Sequence, residues 1–116
     1  MTGELEDLRR RLRAFAAARE WEPFHSPKNL AMALAAEGGE LLEVFQWLTE
    51  AQSRALPPAA QAAAAEEMAD VLLYLVRLAD ELGIDLVDAA NRKLAINAEK
   101  YPVDKARGTS RKSTEL

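Results

Sequence analysis

Four acidic residues stand in two pairs, Glu37-Gly38-Gly39-Glu40 and Glu67-Met68-Ala69-Asp70, each inside an otherwise apolar run. The stretch Asn29-Leu30-Ala31-Met32-Ala33-Leu34-Ala35-Ala36 precedes the first pair, and Val71-Leu72-Leu73-Tyr74-Leu75-Val76 follows the second. Runs apolar on every side predict helices buried all round rather than amphipathic surface helices. Carboxylates held there without basic partners would repel one another and protonate unless a cation joined them. At 3.6 residues per turn, an i,i+3 pair puts both carboxylates on one face, about 4.5 Å apart along the axis, so each pair can share an ion. Two such helices side by side would make an all-oxygen cage. Di-iron bundles add Glu-x-x-His motifs and zinc favours His or Cys, whereas this chain has one His and no Cys. Hard oxygen ligands alone point to Mg²⁺, with Mn²⁺ as a substitute. Mg²⁺ in particular is held by a few carboxylates while substrate phosphates complete its shell.

The elements that must position these acids read as an all-α chain, a bundle of four main helices. Leu5, Leu8, Leu12 and Phe15 recur at spacings of 3, 4 and 3, which predicts an amphipathic helix over residues 4–19. Ser26-Pro27 supplies an N-cap and a first-turn proline for a second helix reaching about Ala51. The segment Gln52 to Ala60, with Pro57-Pro58, reads as a linker, and a third helix runs from about Ala59 to Leu82, stopped by Gly83. Asp85 can cap a fourth helix, Leu86 to about Lys100, ended by Tyr101-Pro102. The Ala-rich segment Ala59 to Ala65 belongs to helix rather than to low-complexity filler.

Two glycines inside a helix cost roughly 1 kcal/mol each relative to Ala, so Gly38-Gly39 needs a compensating reason. Either a neighbouring helix packs closely there, or a metal and its phosphate ligands crowd that turn. Face arithmetic carries the site further. Trp47 falls two turns beyond Glu40, roughly 10 Å along the same face, near the span from a nucleotide's phosphates to its base. Tyr74 follows Asp70 at i+4, and Lys93, Asn97 and Lys100 gather two cations and an amide on one stripe. His25 and Phe24, just before the second helix, could join a base pocket. Together these groups offer what a Mg-triphosphate requires: carboxylates for metal, cations for phosphate oxygens, aromatic planes for a base.

Composition sets the frame. A chain of 116 residues, 49% hydrophobic, suits one ordered domain. The absence of Cys gives no disulfide framework, and neither a signal peptide nor a membrane helix is evident, which suggests a cytoplasmic enzyme. A net charge of −4 argues against a nucleic-acid polymer as partner. The last residues, 103–116, carry Lys105, Arg107, Arg111 and Lys112 against Asp104 and Glu115 and read as a basic flexible tail behind a domain of residues 1–102.

The spacing of the acidic pairs resembles that of the MazG-like, all-α nucleoside triphosphate pyrophosphohydrolases. The closer resemblance is to their dCTP pyrophosphatase branch, through Trp21-Glu22-Pro23-Phe24-His25-Ser26-Pro27-Lys28-Asn29-Leu30, Glu40-Leu41-Leu42-Glu43-Val44-Phe45-Gln46-Trp47 and Asp70-Val71-Leu72-Leu73-Tyr74-Leu75. Asn97, Lys100-Tyr101-Pro102 and the closing Arg111-Lys112-Ser113-Thr114-Glu115-Leu116 continue it over nearly the whole chain. The resemblance implies that Glu37, Glu40, Glu67 and Asp70 hold Mg²⁺ and that Trp47, Trp21 and Tyr74 shape the base pocket. It implies that Lys93, Asn97 and Lys100 meet phosphates, with Tyr101 beside them, and that the protein is a homotetramer, a dimer of dimers whose helices complete each bundle. The chain departs from that branch at Leu12, where the branch offers a base-contacting histidine.

The reaction so implied is hydrolysis between the α and β phosphates of a deoxynucleoside triphosphate, dCTP or a modified dCTP, with Glu40 or Glu43 as general base. Two alternatives compete. One is a broad pyrophosphohydrolase for non-standard nucleotides. The other is a non-enzymatic helical oligomerisation or regulatory module with a structural cation, which nucleotides would not protect against heat.

Overall fold

A computed structural model of the protein describes residues 3–116; residues 1 and 2 of the expected domain lie outside the described residues. Every regular element among the described residues is helical: α1 (Glu4–Ala18), α2 (Pro27–Phe45), α3 (Glu50–Ser53), α4 (Pro58–Leu82), α5 (Leu86–Lys100) and α6 (Val103–Ala106), with 3₁₀ turns at Glu22–Phe24 and Ser113–Glu115. The all-α expectation holds, and α1, α2, α4 and α5 are its four long helices. The described residues divide into two compact units, 3–84 and 85–116.

Local chemistry explains most boundaries in the first unit. Ser26 accepts from the Asn29 N–H at 3.1 Å and Pro27 occupies the first turn, so α2 starts where its cap allows. Gly83 ends α4 at φ 66°, a left-handed conformation that spares a glycine the Cβ clash, and the Ile84 N–H closes onto the Ala79 carbonyl at 2.9 Å. The end of α1 uses no glycine. Glu20 takes a positive φ of 54°, and the Trp21 N–H returns to the Ala16 carbonyl at 3.0 Å. That reversal folds Trp21 back onto α1, where its ring meets Phe15 edge-on at 5.8 Å.

The second helix is shorter than the sequence predicts. It stops at Phe45 rather than continuing to Ala51, because Thr49 opens a new turn with a capping box. Its hydroxyl accepts from the Gln52 N–H at 3.1 Å while the Gln52 side chain accepts from the Thr49 N–H at 2.9 Å. The linker shrinks accordingly, to Arg54–Pro57, and α4 begins at Pro58. Trp47 therefore lies past the end of α2, and the helical-face arithmetic that placed it two turns beyond Glu40 does not hold.

Helix α4 packs against both α2 and α1. Leu30 of α2 and Val76 of α4 are the largest fully buried side chains, each 1% exposed. Neither helix is buried all round as its apolar runs predict, since Met32, Leu42 and Met68 are each 59% exposed. Three packed helices cover only the facing stripe of each, so the outward apolar stripes meet no neighbour within the unit.

Ionic contacts add direction to the α1–α4 packing. Asp80, its side chain 4% exposed, accepts from Arg9 at 3.0 Å, Arg13 Nε at 3.0 Å and Arg77 at 3.1 Å. Burial alone would raise this carboxyl, yet the hydrogen bonds from Arg13 and Arg9 hold it below the usual carboxylate range.

In the second unit Asp85 caps α5 by accepting from the Asp88 N–H at 3.1 Å, and Tyr101 ends the helix as predicted. Residues beyond it form α6 and the second 3₁₀ turn, whose Ser113 N–H donates to the Tyr101 hydroxyl at 3.1 Å.

Candidate active site

Helix packing brings both acidic pairs to the α2–α4 contact. One carboxylate oxygen from each of Glu37, Glu67 and Asp70 lies within 4.8 Å of the others. The Glu37 and Glu67 Oε2 atoms are buried and accept no hydrogen bond. No Lys, Arg or His among the described residues forms an ion pair with any of the four acids. An unpartnered buried carboxylate oxygen is expensive, which makes this cluster unstable as a set of free anions.

The electrostatics follow. The Glu37 carboxyl is pushed up to about 7, first by a hydrogen bond with the Glu40 carboxyl, then by burial and by the neighbouring charges. Glu67 is raised chiefly by burial and next by a hydrogen bond with Glu40. Two carboxyls can hydrogen-bond only with a proton between them, so without a cation the cluster retains protons. The donor set contains oxygen alone, and its orphaned oxygens are what a hard divalent cation would satisfy. Glu40 stands apart from the close trio and is exposed, although its carboxyl reaches both Glu37 and Glu67.

Asp70 also lines a cavity of about 240 Å³ together with Leu12, Phe15, Trp21, His25, Tyr74 and Arg77. Clefts for drug-sized ligands run to roughly 300–1,000 Å³; this smaller space suits a single ring system. Trp21 and His25 approach at 6.1 Å between ring centroids, and α4 contributes Asp70, Tyr74 and Arg77 at successive i+4 and i+3 positions. Asp70 thus belongs both to the carboxylate trio and to the cavity lining.

The structure sorts the remaining residues of the sequence reading. Trp47 is 86% exposed on the turn after α2, and Glu43 is exposed on α2 itself. Lys93, Asn97 and Lys100 lie on α5 in the second unit, with Tyr101 at its end. The bond from the Ser113 N–H lowers the Tyr101 hydroxyl's pKa. Phe24 is 66% exposed outside the cavity lining. An alanine Cβ at Gly38 or Gly39 would meet no atom within 4 Å, so no helix of this unit packs closely at the two glycines.

Sequence reasoning missed Arg77. The signal was present, because Glu67, Asp70, Tyr74 and Arg77 form a single 3, 4, 3 stripe, and Arg77 follows six apolar residues with Asp80 and Glu81 one turn on. Arg77 is 5% exposed and donates from Nε to His25 Nδ1 at 3.2 Å, from Nη1 to Asp80 and from Nη2 to Glu81. Burial, followed by the Arg77 charge, lowers the His25 pKa.

Comparison with known proteins agrees with this geometry. The MazG-like family matches residues 33–116. Mouse dCTP pyrophosphatase 1 is 49% identical over 97% of this chain and 67% of its own length, and the human protein of the same name is also 49% identical over 97% of the chain. A crystal structure of a pyrophosphatase from Archaeoglobus fulgidus superposes with a TM-score of 0.81 at 38% identity, covering 88% of this chain and 95% of that one. No helix among the described residues is long and apolar enough to cross a membrane. With its paired acids facing each other across two packed helices, the chain belongs to the MazG-like family and is a hydrolase of phosphoric anhydride bonds.

Proposed function

We propose that this protein hydrolyses dCTP, or a modified dCTP, to dCMP and pyrophosphate and so clears the nucleotide pool of the cytoplasm. The observation that carries the reading is the double position of Asp70, which belongs both to the carboxylate trio and to the lining of the aromatic cavity. A base in that cavity would leave its phosphates close to the cation-binding oxygens. The relatives named dCTP pyrophosphatase 1 support the choice of base.

Glu37, Glu67 and Asp70 hold the cation, Mg²⁺ with Mn²⁺ as substitute, and Glu40 adds a fourth carboxylate at the edge of the cluster. The ion supplies neutralising charge for the phosphates and makes nearby water more acidic. Glu40 is the general base, because it lies outside the trio yet within reach of it; exposed Glu43, one turn further along α2, takes that role only if Glu40 is a full ligand. The water oxygen bonds to phosphorus, the bridging P–O bond between α and β breaks, and the water proton passes to the carboxylate. Trp21, His25 and Tyr74 hold the base, and Trp47 closes over it. Lys93, Asn97, Lys100 and Tyr101 engage phosphate oxygens and stabilise the departing pyrophosphate. The outward apolar stripes of α2 and α4 support a homotetramer, a dimer of dimers, in which other copies cover Met32, Leu42 and Met68. Residues 1–102 form the catalytic domain and 103–116 a basic tail.

Product analysis after incubation with each of four deoxynucleoside triphosphates, with Mg²⁺ and with chelator, tests the reading. Metal-dependent release of dCMP and pyrophosphate mainly from dCTP is the expected result. Equal turnover of several bases would turn the role into general pool cleaning, and no turnover of any would overturn it.

A further inference from the structure

Arg77 does more than help to enclose Asp80. A guanidinium has five N–H donors and no acceptor lone pair. Its Nε donates to His25 Nδ1 at 3.2 Å, so that ring nitrogen must be unprotonated. Arg77 itself cannot swing away easily: it is 5% exposed, and its Nη1 and Nη2 are held by Asp80 and Glu81. With Nδ1 occupied, the one remaining polar atom of the imidazole is Nε2, which carries the proton of the neutral ring and bonds to no described residue. Burial and then the Arg77 charge lower the His25 pKa, which favours the neutral ring over the imidazolium. Both residues line the 240 Å³ cavity.

We infer that Arg77 is a specificity-determining positioning residue, which locks His25 as the Nε2–H tautomer so that its imidazole can donate to a bound base but never accept from it. This rests on the proposed base-binding role of the cavity. The consequence is chemical. Both bases offer an acceptor at O2, so the discrimination falls on N3, which accepts in cytosine and carries a hydrogen in uracil; the His25 Nε2–H is set against N3. An imidazole free to change tautomer could serve either base; a locked one opposes its own N–H to uracil's N3–H. A donor facing a donor in a confined site leaves both unsatisfied. On the α1 side of the lining Leu12, Phe15 and Ala16 offer no side-chain acceptor, and the Asp70 carboxylate is committed to the cation in the proposed function, so beside His25 only the Tyr74 hydroxyl could accept.

The chain's single histidine makes the test direct. Two-bond ¹H–¹⁵N correlation spectra of wild-type protein at neutral pH should show Nδ1 unprotonated and Nε2 protonated; a protonated Nδ1 or a charged ring overturns the lock. Arg77→Met keeps an unbranched apolar chain and should let the tautomers mix. Its preference for dCTP over dUTP, as a ratio of kcat/KM, should fall about tenfold, mainly through the KM for dUTP. An unchanged ratio overturns the selectivity role. Should that variant not fold, wild-type protein decides alone: saturating dCMP should shift the Nε2–H resonance and dUMP should not, and equal shifts overturn the proposal. Absence of dCTP turnover by wild type would instead remove the base-binding reading on which selectivity depends, whichever tautomer is seen.

Discussion

Asp70 and Asp80 sit ten residues apart on α4, roughly 15 Å along the helix, and their surroundings are opposites. Asp80 is enclosed by three arginines, two from α1 and one from its own helix. Asp70 joins Glu37 and Glu67, whose buried oxygens have no partner. Both clusters sit where α4 packs against a neighbouring helix, so both face the cost of removing charge from water. At Asp80 the chain supplies the counter-charges and the cluster serves the fold. At Asp70 it supplies none, and raised carboxyl pKa values take their place. A folded chain that leaves like charges together is arranged for something that arrives from outside.

The sharpest way to break this contrast is to neutralise one carboxylate in each cluster. Glu67→Gln should reduce Mg²⁺-dependent turnover on the order of a thousandfold while circular dichroism stays unchanged and the metal-free protein loses no resistance to urea. Retained turnover would remove Glu67 from the site. Asp80→Asn should do the reverse. Three guanidinium groups would lose their common anion, which costs about 3 kcal/mol of stability on the scale of broken buried ion pairs, read as a lower urea midpoint. A stability loss confined to Glu67→Gln would exchange the two roles.

Proton linkage sharpens the same comparison. The Glu37 carboxyl is pushed up to about 7 from the ordinary 4.5 of a glutamate, so the folded metal-free chain binds more protons than the unfolded chain between those values. Its stability should therefore be greatest at the acid end of that window and decline as pH rises through it. Metal binding must expel those protons, so calorimetry in buffers of different ionisation enthalpy should show proton release, with affinity rising as pH approaches and passes 7. Asp80 has the opposite sign. Its pKa is depressed below the ordinary aspartate value of 3.8, so its contribution is complete above that value and is lost as pH falls through the lower, folded value. An affinity for Mg²⁺ independent of pH between 5 and 8 would count against the carboxyl cluster as the metal site.

These two clusters also show what was legible in the sequence. The acids were readable because both pairs interrupt apolar runs at helical spacing, and the caps at Ser26, Gly83 and Asp85 were readable because each is a local hydrogen-bond or φ requirement. The extent of α2 was not, because the competing box at Thr49 and Gln52 only shows its strength once both hydrogen bonds form. Burial was overestimated for a related reason. Apolar periodicity says that a face will be covered, and it does not say whether the cover comes from this chain or from another copy. Arg77's place on the acidic stripe was readable but its role was not, because a lone arginine after an apolar run looks like a helix's solvated edge until the His25 segment is folded against it.

The smallest expected effect concerns the two glycines beside the acids, and it separates the readings of their purpose. An alanine Cβ at Gly38 or Gly39 meets nothing within 4 Å, so the chain itself has no steric use for either glycine. Each substitution should therefore add about 0.5–1 kcal/mol to the stability of the metal-free protein, by relieving the backbone entropy that a helical glycine loses. If phosphates crowd this turn, the same variants should raise the KM for dCTP while their melting temperatures rise. If another copy's helix packs there, the added methyl should weaken assembly, and analytical ultracentrifugation would show smaller species with little change in the chain's helicity. A gain in stability with neither effect would leave the glycines without a role in the site, and the carboxylates flanking them would have to account for the chemistry by themselves.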